Sequence, residues 1–399
     1  MSGDEPVPAI VVDNGSDSCK VGLAREDLPA SVFPSTVARD ANKVSFVGQK
    51  AIDRISDLEL HYPIKRGLIT NWDDMEVLWA FMFKDALSVD PSKHPVLMSE
   101  ALNNSSFNRE KTAQILFEKF QIPSLFMTNQ AVLSLYHAGR VTGTIVDIGA
   151  GATSVVPIYE GFNIGEASVK VDLAGSDITE YLIRLLKDKG HNLTSPPNKL
   201  IAKKIKETLC LVSQKEQVSS APSTFELPDK NVIILDTERY KSTEILFDPE
   251  LSGRGDIKGV HKLAKDTPHP HLSTLLTYKS TEILFDPELS GRGDIKGVHK
   301  LVNGAISSCD MNVRKPLYTN ILLSGGTSLF EGLANRLQHE LTSLNPQNPQ
   351  AKVHARRDRH LAAWIGGSVF AALPTFQQLQ ITKKEYQEAG PSIIKRKWP

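Results

Sequence analysis

Short apolar runs alternate along the chain with stretches whose apolar positions recur every three or four residues. The runs at 9–13 (AIVVD) and 318–324 (YTNILLS) predict buried strands, and those at 144–147 (TIVD) and 231–236 (NVIILD) predict further strands. The periodic stretches at 76–87, 108–120, 177–187, 199–212 and 329–341 predict helices. Asp73 and Asp74 suit the N-terminal end of the first helix. Asn108 is a candidate N-cap for the second, which stops ahead of Pro123. The two central glycines of 362–373 point to close packing, and Leu78, Trp79, Phe81, Met82 and Phe83 read as core. Strands and helices interleaved in this way predict an α/β protein.

Length divides this pattern, because 399 residues exceed one ordinary core and predict two or three domains. Charge adds an exclusion. Lys+Arg and Asp+Glu both number 46, so nothing favours general binding to nucleic acid or to a membrane surface. Cys19, Cys210 and Cys309 are odd in number and far apart, with no CxxC. That argues against a disulfide framework or a zinc module and for a reducing compartment. The opening MSGDEPVPA lacks the apolar core of a secretory signal, and no apolar run nears the length of a membrane span. The expectation is a protein that is not secreted, with no membrane partner and no direct sequence-specific nucleic-acid partner.

The string YKSTEILFDPELSGRGDIKGVHKL stands at 240–263 and again, unchanged, at 278–301. Two copies are too few for a solenoid, which needs about three. Only one copy fits a single fold position, so the other is expected to form a surface insertion. Val302 continues the apolar pattern of the second copy, whereas Tyr240 follows directly from a predicted strand, which leaves the breakpoint open. Arg254-Gly255-Asp256 and Arg292-Gly293-Asp294 read as glycine-flanked turns rather than adhesion motifs. His269 and His271 read as a solvated loop, with no acid or cysteine beside them to complete a metal site.

Candidate chemistry gathers at three strand ends. Asp13-Asn14-Gly15-Ser16 and Asp147-Ile148-Gly149-Ala150-Gly151 lie 134 positions apart, and a third strand runs into Ser324-Gly325-Gly326-Thr327. Glycines at such turns let backbone N–H groups approach a phosphate without a Cβ in the way. A carboxylate at each of two strand ends suits a hydrated Mg2+, which keeps several of its waters. Lys20 adds a point charge toward the same anion. Two hairpins and a Gly-Gly turn together can grip a nucleoside triphosphate, although any one of them alone also occurs as a plain structural turn.

Longer strings carry more. They are VDNGS at 12–16, NWDDME at 71–76, NREK at 108–111, QAVLSLY at 130–136, VPIYEG at 156–161 and DLAG at 172–175. IKE at 205–207, LLSGGT at 322–327, WIGGS at 364–368, TFQQ at 375–378 and GPSI at 390–393 complete the set. On these strings the chain resembles the actin and actin-related protein family over almost its whole length, the repeat excepted. The resemblance implies a two-lobed actin-like ATPase fold, with duplicated RNase-H-like domains around a nucleotide cleft. Residues 1–137 and 362–399 would form the large lobe, with 35–63 a reduced small subdomain. Residues 138–361, the repeat included, would form the second lobe, with chain crossings near 138–142 and 356–361.

The same resemblance implies ATP and Mg2+ as cofactors. Asp13 and Asp147 would orient the water shell of the cation. Gly15, Ser16 and Lys20 would meet phosphates from the first hairpin, and Gly149 and Gly151 from the second. Asp177, Lys206 and Glu207 would lie near the ribose and base, while Gly325, Gly326, Thr327 and Phe330 would line the nucleotide from the other side. Gln130 would help position the attacking water.

Departures from the family pattern shape the functional expectation. Asp17 stands where the family has a phosphate-loop glycine, and Ala150 where it has the aspartate of the second hairpin. Ser154 replaces the histidine beside the hydrolytic water, and His360 a base-side lysine. A carboxylate at 17 opposes phosphate, and Gln130 without the histidine implies at most a weak ATPase. Between Val37 and Pro63 the chain is short, so the long loop by which actin contacts its filament neighbour is largely missing. A joint repeated at every subunit is then weakened at every subunit, and filament formation is not expected. The expectation is a divergent member serving as an ATP-binding scaffold subunit of a cytoskeletal or chromatin-remodelling complex, cytoplasmic or nuclear. Its partners would be proteins, including other actin-family subunits. The alternative is a polymerising actin-like ATPase of the cytoskeleton.

Overall fold

The computed structural model describes residues 7–213, 222–252, 296–346 and 350–398. The chain forms two compact units. Met1–Gly175, Ala305–Leu329 and Gln350–Pro399 make the first, and Ser176–Gly304 with Phe330–Pro349 the second.

Ahead of Gln130 the first unit forms β1 (Ile10–Asn14), β2 (Ser18–Leu23), β3 (Ser31–Pro34), β4 (Val37–Arg39) and β5 (Ser45–Val47). It continues through β6 (Ile64–Lys65), β7 (Leu68–Ile69), β8 (Val96–Glu100) and β9 (Ser124–Asn129). Next come β10 (Gly143–Ile148), β11 (Thr153–Tyr159), β12 (Phe162–Asn163) and β13 (Val169–Val171). The second unit contributes β14 (Ser223–Glu226) and β15 (Val232–Leu235). The first unit then adds β16 (Ile321–Ser324), β17 (Val353–His354) and β18 (Ile381–Thr382).

Two six-stranded sheets form the frame of the first unit. One has the order β18-β9-β8-β1-β2-β3, and the other runs β12-β11-β10-β16-β17 with β13 also on β11. Both repeat one plan. β1 pairs antiparallel with β2 and parallel with β8, and β10 pairs antiparallel with β11 and parallel with β16. Central strands with a parallel neighbour are covered on both faces, which is why β1 and β10 are nearly continuous apolar runs that turn polar only near their ends. The strands of the first sheet come from 10–129 and 381–382, and those of the second from 143–171 and 321–354. The expected crossings near 138–142 and 356–361 fall in the chain between these two sets, whereas the compact units divide at Gly175, Ala305, Leu329 and Gln350.

The helix Gln130–His137 leaves β9 directly. The Asn129 side chain caps it by accepting from the Ala131 N–H. The helix Ala362–Ala371 lies hard against it. A Cβ on Gly366 would sit 1.7 Å from the Leu133 carbonyl oxygen, and one on Gly367 2.8 Å from the Val11 side chain. Trp364 is fully buried and donates its indole N–H to the Val11 carbonyl at 3.0 Å. β4 and β5 are joined by residues 40–44, a tight turn held by Asp40, whose carboxylate accepts from the Asn42 and Val44 N–H groups at 3.0 and 2.9 Å.

Several element boundaries differ from those predicted. The helix expected at 76–87 is Trp72–Phe81, capped by Asn71 accepting from the Asp74 N–H, and it widens into a π-turn over Met82–Ala86. Ser105 rather than Asn108 caps Ser106–Glu118, because its hydroxyl accepts from the Asn108 N–H. The strand expected from Tyr318 starts at Ile321, since Tyr318 still belongs to the helix Met311–Thr319. The helix expected at 329–341 is Leu333–Leu344, delayed by a tight turn over Gly326–Leu329 and by Gly332 at φ 85°. The helix expected at 199–212 is Pro196–Leu209, whose prolines sit in the first turn where no N–H is needed.

In the second unit, Arg336 is a buried tie. It donates to Ser213 O at 2.9 Å and to Glu340 at 2.6 Å, pairs with Glu244 at 3.4 Å, and lies 4.9 Å over the Phe247 ring. The repeat is used here in two pieces. Ile245, Leu246 and Phe247 of the first copy are buried. In the second copy, Val298 N–H donates to Leu246 O at 2.9 Å, and His299 stacks on Phe247 with ring centroids 6.0 Å apart. Among the described residues, the front of the first copy thus packs against the end of the second. The expected surface insertion, with Arg254-Gly255-Asp256, His269, His271 and Arg292-Gly293-Asp294, lies outside the described residues.

Candidate functional site

Both aspartate-bearing strands end in turns that glycine makes possible. In the first hairpin Gly15 N–H donates to Ser18 O at 3.1 Å, and a Cβ on Gly15 would lie 2.7 Å from that oxygen. In the second, Gly149 N–H donates to Ala152 O at 3.1 Å. The Thr327 hydroxyl and the Gly175 N–H both donate to Gly149 O, at 2.8 and 3.0 Å, so the Gly-Gly turn after β16 pins this hairpin. Gly325, at φ 86°, passes so close that a Cβ would lie 2.4 Å from Ile148 O and 2.9 Å from Asp147 Oδ1.

The two acids are supported alike. Asp13 faces Lys20 across the first hairpin and pairs with its ammonium at 3.2 Å. Ser99, near the end of parallel β8, donates to Asp13 Oδ1 at 2.7 Å, and Gln130 Nε2 donates to the same oxygen at 2.9 Å. Asp147 faces Ser154 across the second hairpin and Ser324 on parallel β16, and the Ser324 hydroxyl hydrogen-bonds to it. Ser134 lies one turn beyond Gln130. Its hydroxyl donates to Gln130 O at 2.9 Å and stands 3.0 Å from the Ser324 hydroxyl. One short helix therefore reaches the support of both acids.

Charge in this mouth is unevenly balanced. Burial pulls the Lys20 ammonium down, but Asp13, through charge and hydrogen bond, and then Asp147 outweigh it, so its pKa is raised. Loss of water pushes the Asp147 carboxyl up to about 6, opposed by the Ser324 hydrogen bond and Lys20 and reinforced by Asp13. Burial, then Lys20, lowers the His360 pKa. Burial pushes the Cys19 thiol up to about 12, and its sulfur touches Asn14 and Ser35 beneath the first hairpin, which fits packing.

Two carboxylates against one ammonium, beside glycine turns, fit a hydrated divalent cation and the phosphates it accompanies. The backbone is open where that requires it. An added Cβ would meet nothing within 4 Å at Gly326, and only Ala152 O, at 3.5 Å, at Gly149. Among the described residues no group of three His, Cys, Asp or Glu side chains is arranged to cage a metal directly, and no helix is long and apolar enough to cross a membrane.

A third segment joins the hairpins. β6 and β7 are linked by the two-residue turn Arg66-Gly67, with φ of 52° and 78°. Gly67 N–H donates to Ser16 Oγ at 2.8 Å, and Arg66 Nη1 donates to Gly151 O at 3.0 Å. A Cβ on Gly151 would meet Ser16 Oγ at 2.5 Å and Arg66 Cα at 3.1 Å, so the three segments converge there.

Of the residues expected from the sequence, Asp13, Gly15, Ser16, Lys20, Gln130, Asp147, Gly149, Gly151, Gly325, Gly326 and Thr327 belong to the first unit. Asp177, Lys206, Glu207 and Phe330 belong to the second. There, Asp177 is buried in the first turn of the helix Gly175–Asp188, and Lys206 is buried 4.0 Å from the Glu207 carboxylate. Phe330 is buried just ahead of the helix Leu333–Leu344. Ser99, Ser134 and Arg66 escaped the sequence reading. The run VLMS near the end of β8 is a usable signal for Ser99, since it parallels the apolar run that ends at Asp13. The sequence matches the family model for actin over residues 4–399.

Proposed function

The chain belongs to the actin family, and from that membership we propose that its paired hairpins hold ATP with Mg2+ while the protein serves as a non-polymerising scaffold subunit. Actin-like proteins generally bind ATP with Mg2+. The observation that carries the nucleotide reading is the matched pair of hairpins, each with an aspartate supported by a serine on its parallel strand.

In this reading Asp13 and Asp147 hold the cation through its waters, and the cation neutralises phosphate charge. The N–H groups of Gly15, Gly149 and Gly151, the Ser16 hydroxyl and the Lys20 ammonium bind phosphate oxygens. Gly325, Gly326 and Thr327, which support the second hairpin, line the nucleotide from the other side. Gln130, anchored on Asp13 at 2.9 Å, orients a water. With Ser154 opposite Asp147, that water lacks an imidazole to polarise it, so turnover is slow.

The tight turn over residues 40–44 supports the non-polymerising half, because it offers a neighbour no long loop. The partners are then other proteins, including actin-family subunits, in a cytoskeletal or chromatin-remodelling complex. The intact Asp13–Gln130 pair favours the second reading, a polymerising ATPase. Sedimentation after addition of Mg-ATP and salt separates the two. The scaffold stays in the supernatant, and a pelleting chain is a polymer-former.

A further inference from the structure

We propose that Ser134 is a positioning residue for the cation half of this site: its hydroxyl donates to Ser324 and so aims the single Ser324 proton at Asp147. The inference rests on the reading that the hairpins hold ATP with Mg2+.

A row of oxygens leads from the helix Gln130–His137 to the end of β10. Ser134 Oγ stands 2.9 Å from Gln130 O and 3.0 Å from Ser324 Oγ. The Ser324 hydroxyl in turn bonds the carboxylate of Asp147, its register partner across the parallel β10–β16 pair. All of these residues belong to the first compact unit. Both serines are buried, at 4% and 3% exposure, so their polar atoms must find partners inside the protein.

The row has three contacts but only two protons, because each serine hydroxyl carries one. With Asp147 ionised, the acid draws the Ser324 proton, since a hydrogen bond to a charged acceptor is about twice as strong as one between neutral groups. Ser324 can then meet Ser134 only as an acceptor, which makes Ser134 the donor across 3.0 Å. Gln130 O can spare that proton, because a carbonyl at the start of a helix already accepts from the backbone N–H four residues on. A serine bonding back to such a carbonyl is a common habit of helices and by itself says nothing of function. The contact with Ser324 is different, since it joins the helix to a strand end 190 positions away.

With a donor already at its oxygen, Ser324 keeps its own proton for the strongest acceptor in reach, the Asp147 carboxylate. Bonds in such a row also polarise one another. Ser134 therefore acts on Asp147 through Ser324. It does so from the helix whose first residue, Gln130, bonds Asp13 at 2.9 Å.

The test is displacement of a fluorescent ATP analogue from the full chain by ATP, once in excess Mg2+ and once in chelator. The chains compared are wild type, Ser134→Ala, Ser324→Ala and the double variant. In Mg2+, Ser134→Ala is expected to weaken ATP about fivefold and Ser324→Ala about tenfold, with losses of about twofold or less in chelator. The double variant should bind like Ser324→Ala alone, because Ser134 then has nothing left to orient. If Ser134→Ala does not fold, Ser134→Cys keeps a side chain of similar shape with a weaker donor and should show the same Mg2+-dependent loss. Equal losses with and without Mg2+, no loss, or losses that multiply in the double variant overturn the inference and leave the nucleotide reading standing. A folded wild-type chain that binds no ATP in Mg2+ overturns both.

Discussion

Ser99 and Ser324 do the same work at opposite ends of the mouth, each giving a hydroxyl hydrogen bond to the acid of the neighbouring strand. Ser99 also lies 3.4 Å from the Gln130 amide nitrogen, so it helps fix the group expected to orient water. Ser99→Ala should leave the fold intact and weaken Mg-ATP about tenfold, the size of one hydrogen bond to a charged group, as measured by titration with excess Mg2+. A second residue-scale effect belongs to Glu244. Burial pushes its carboxyl up to about 7, against the pull of Arg336 and with the push of Glu340 and Asp248. Between the unfolded value near 4.5 and about 7, the folded chain holds a proton that the unfolded chain releases. Stability therefore falls as pH rises through that window, by up to about 3 kcal/mol. Glu244→Gln should flatten this slope in urea unfolding between about pH 5 and pH 8, and an unchanged slope would assign it to other groups. Asp13 and Asp147 were legible in the sequence because strand, acid and glycine turn are neighbours in the chain. Ser99 and Arg66 were not, because their partners lie 86 and 85 positions away.

At the scale of elements, the helix Gln130–His137 links the two halves of the site through Gln130 and Ser134, and it is held there by the glycine face of Ala362–Ala371. The apolar pattern set out neither helix, showing 362–373 only as a closely packed stretch. Capping residues, which depend on local hydrogen bonds, set boundaries that periodicity misses elsewhere, as with Ser105 ahead of Asn108. The repeat behaves differently. Identical strings carry no information about which copy packs, so only contacts such as Val298 to Leu246 reveal the shared use. Excising residues 253–290 joins Ser252 to Gly291 and leaves one uninterrupted copy. This deletion is expected to melt within about two degrees of the full chain and to bind nucleotide equally well, because it keeps the described contacts of the repeat, such as Val298 N–H to Leu246 O. Loss of cooperative unfolding would mean that the removed residues hold structure the packed position needs.

For the whole molecule, Asp13, Lys20, Gln130, Asp147 and the glycine turns beside them all belong to the first compact unit. The family strings made the fold class legible across the chain, and the match over residues 4–399 agrees with them. Composition and periodicity alone reached only an α/β protein of several domains. The central claim is that this chain keeps ATP in its paired hairpins and scarcely hydrolyses it. The most direct test is the nucleotide content of the full chain, purified in Mg2+, denatured, and chromatographed for released small molecules. The account expects near-stoichiometric ATP. Stoichiometric ADP would contradict the slow turnover assigned to Ser154 and Gln130, and a folded chain that releases no nucleotide would contradict the claim outright.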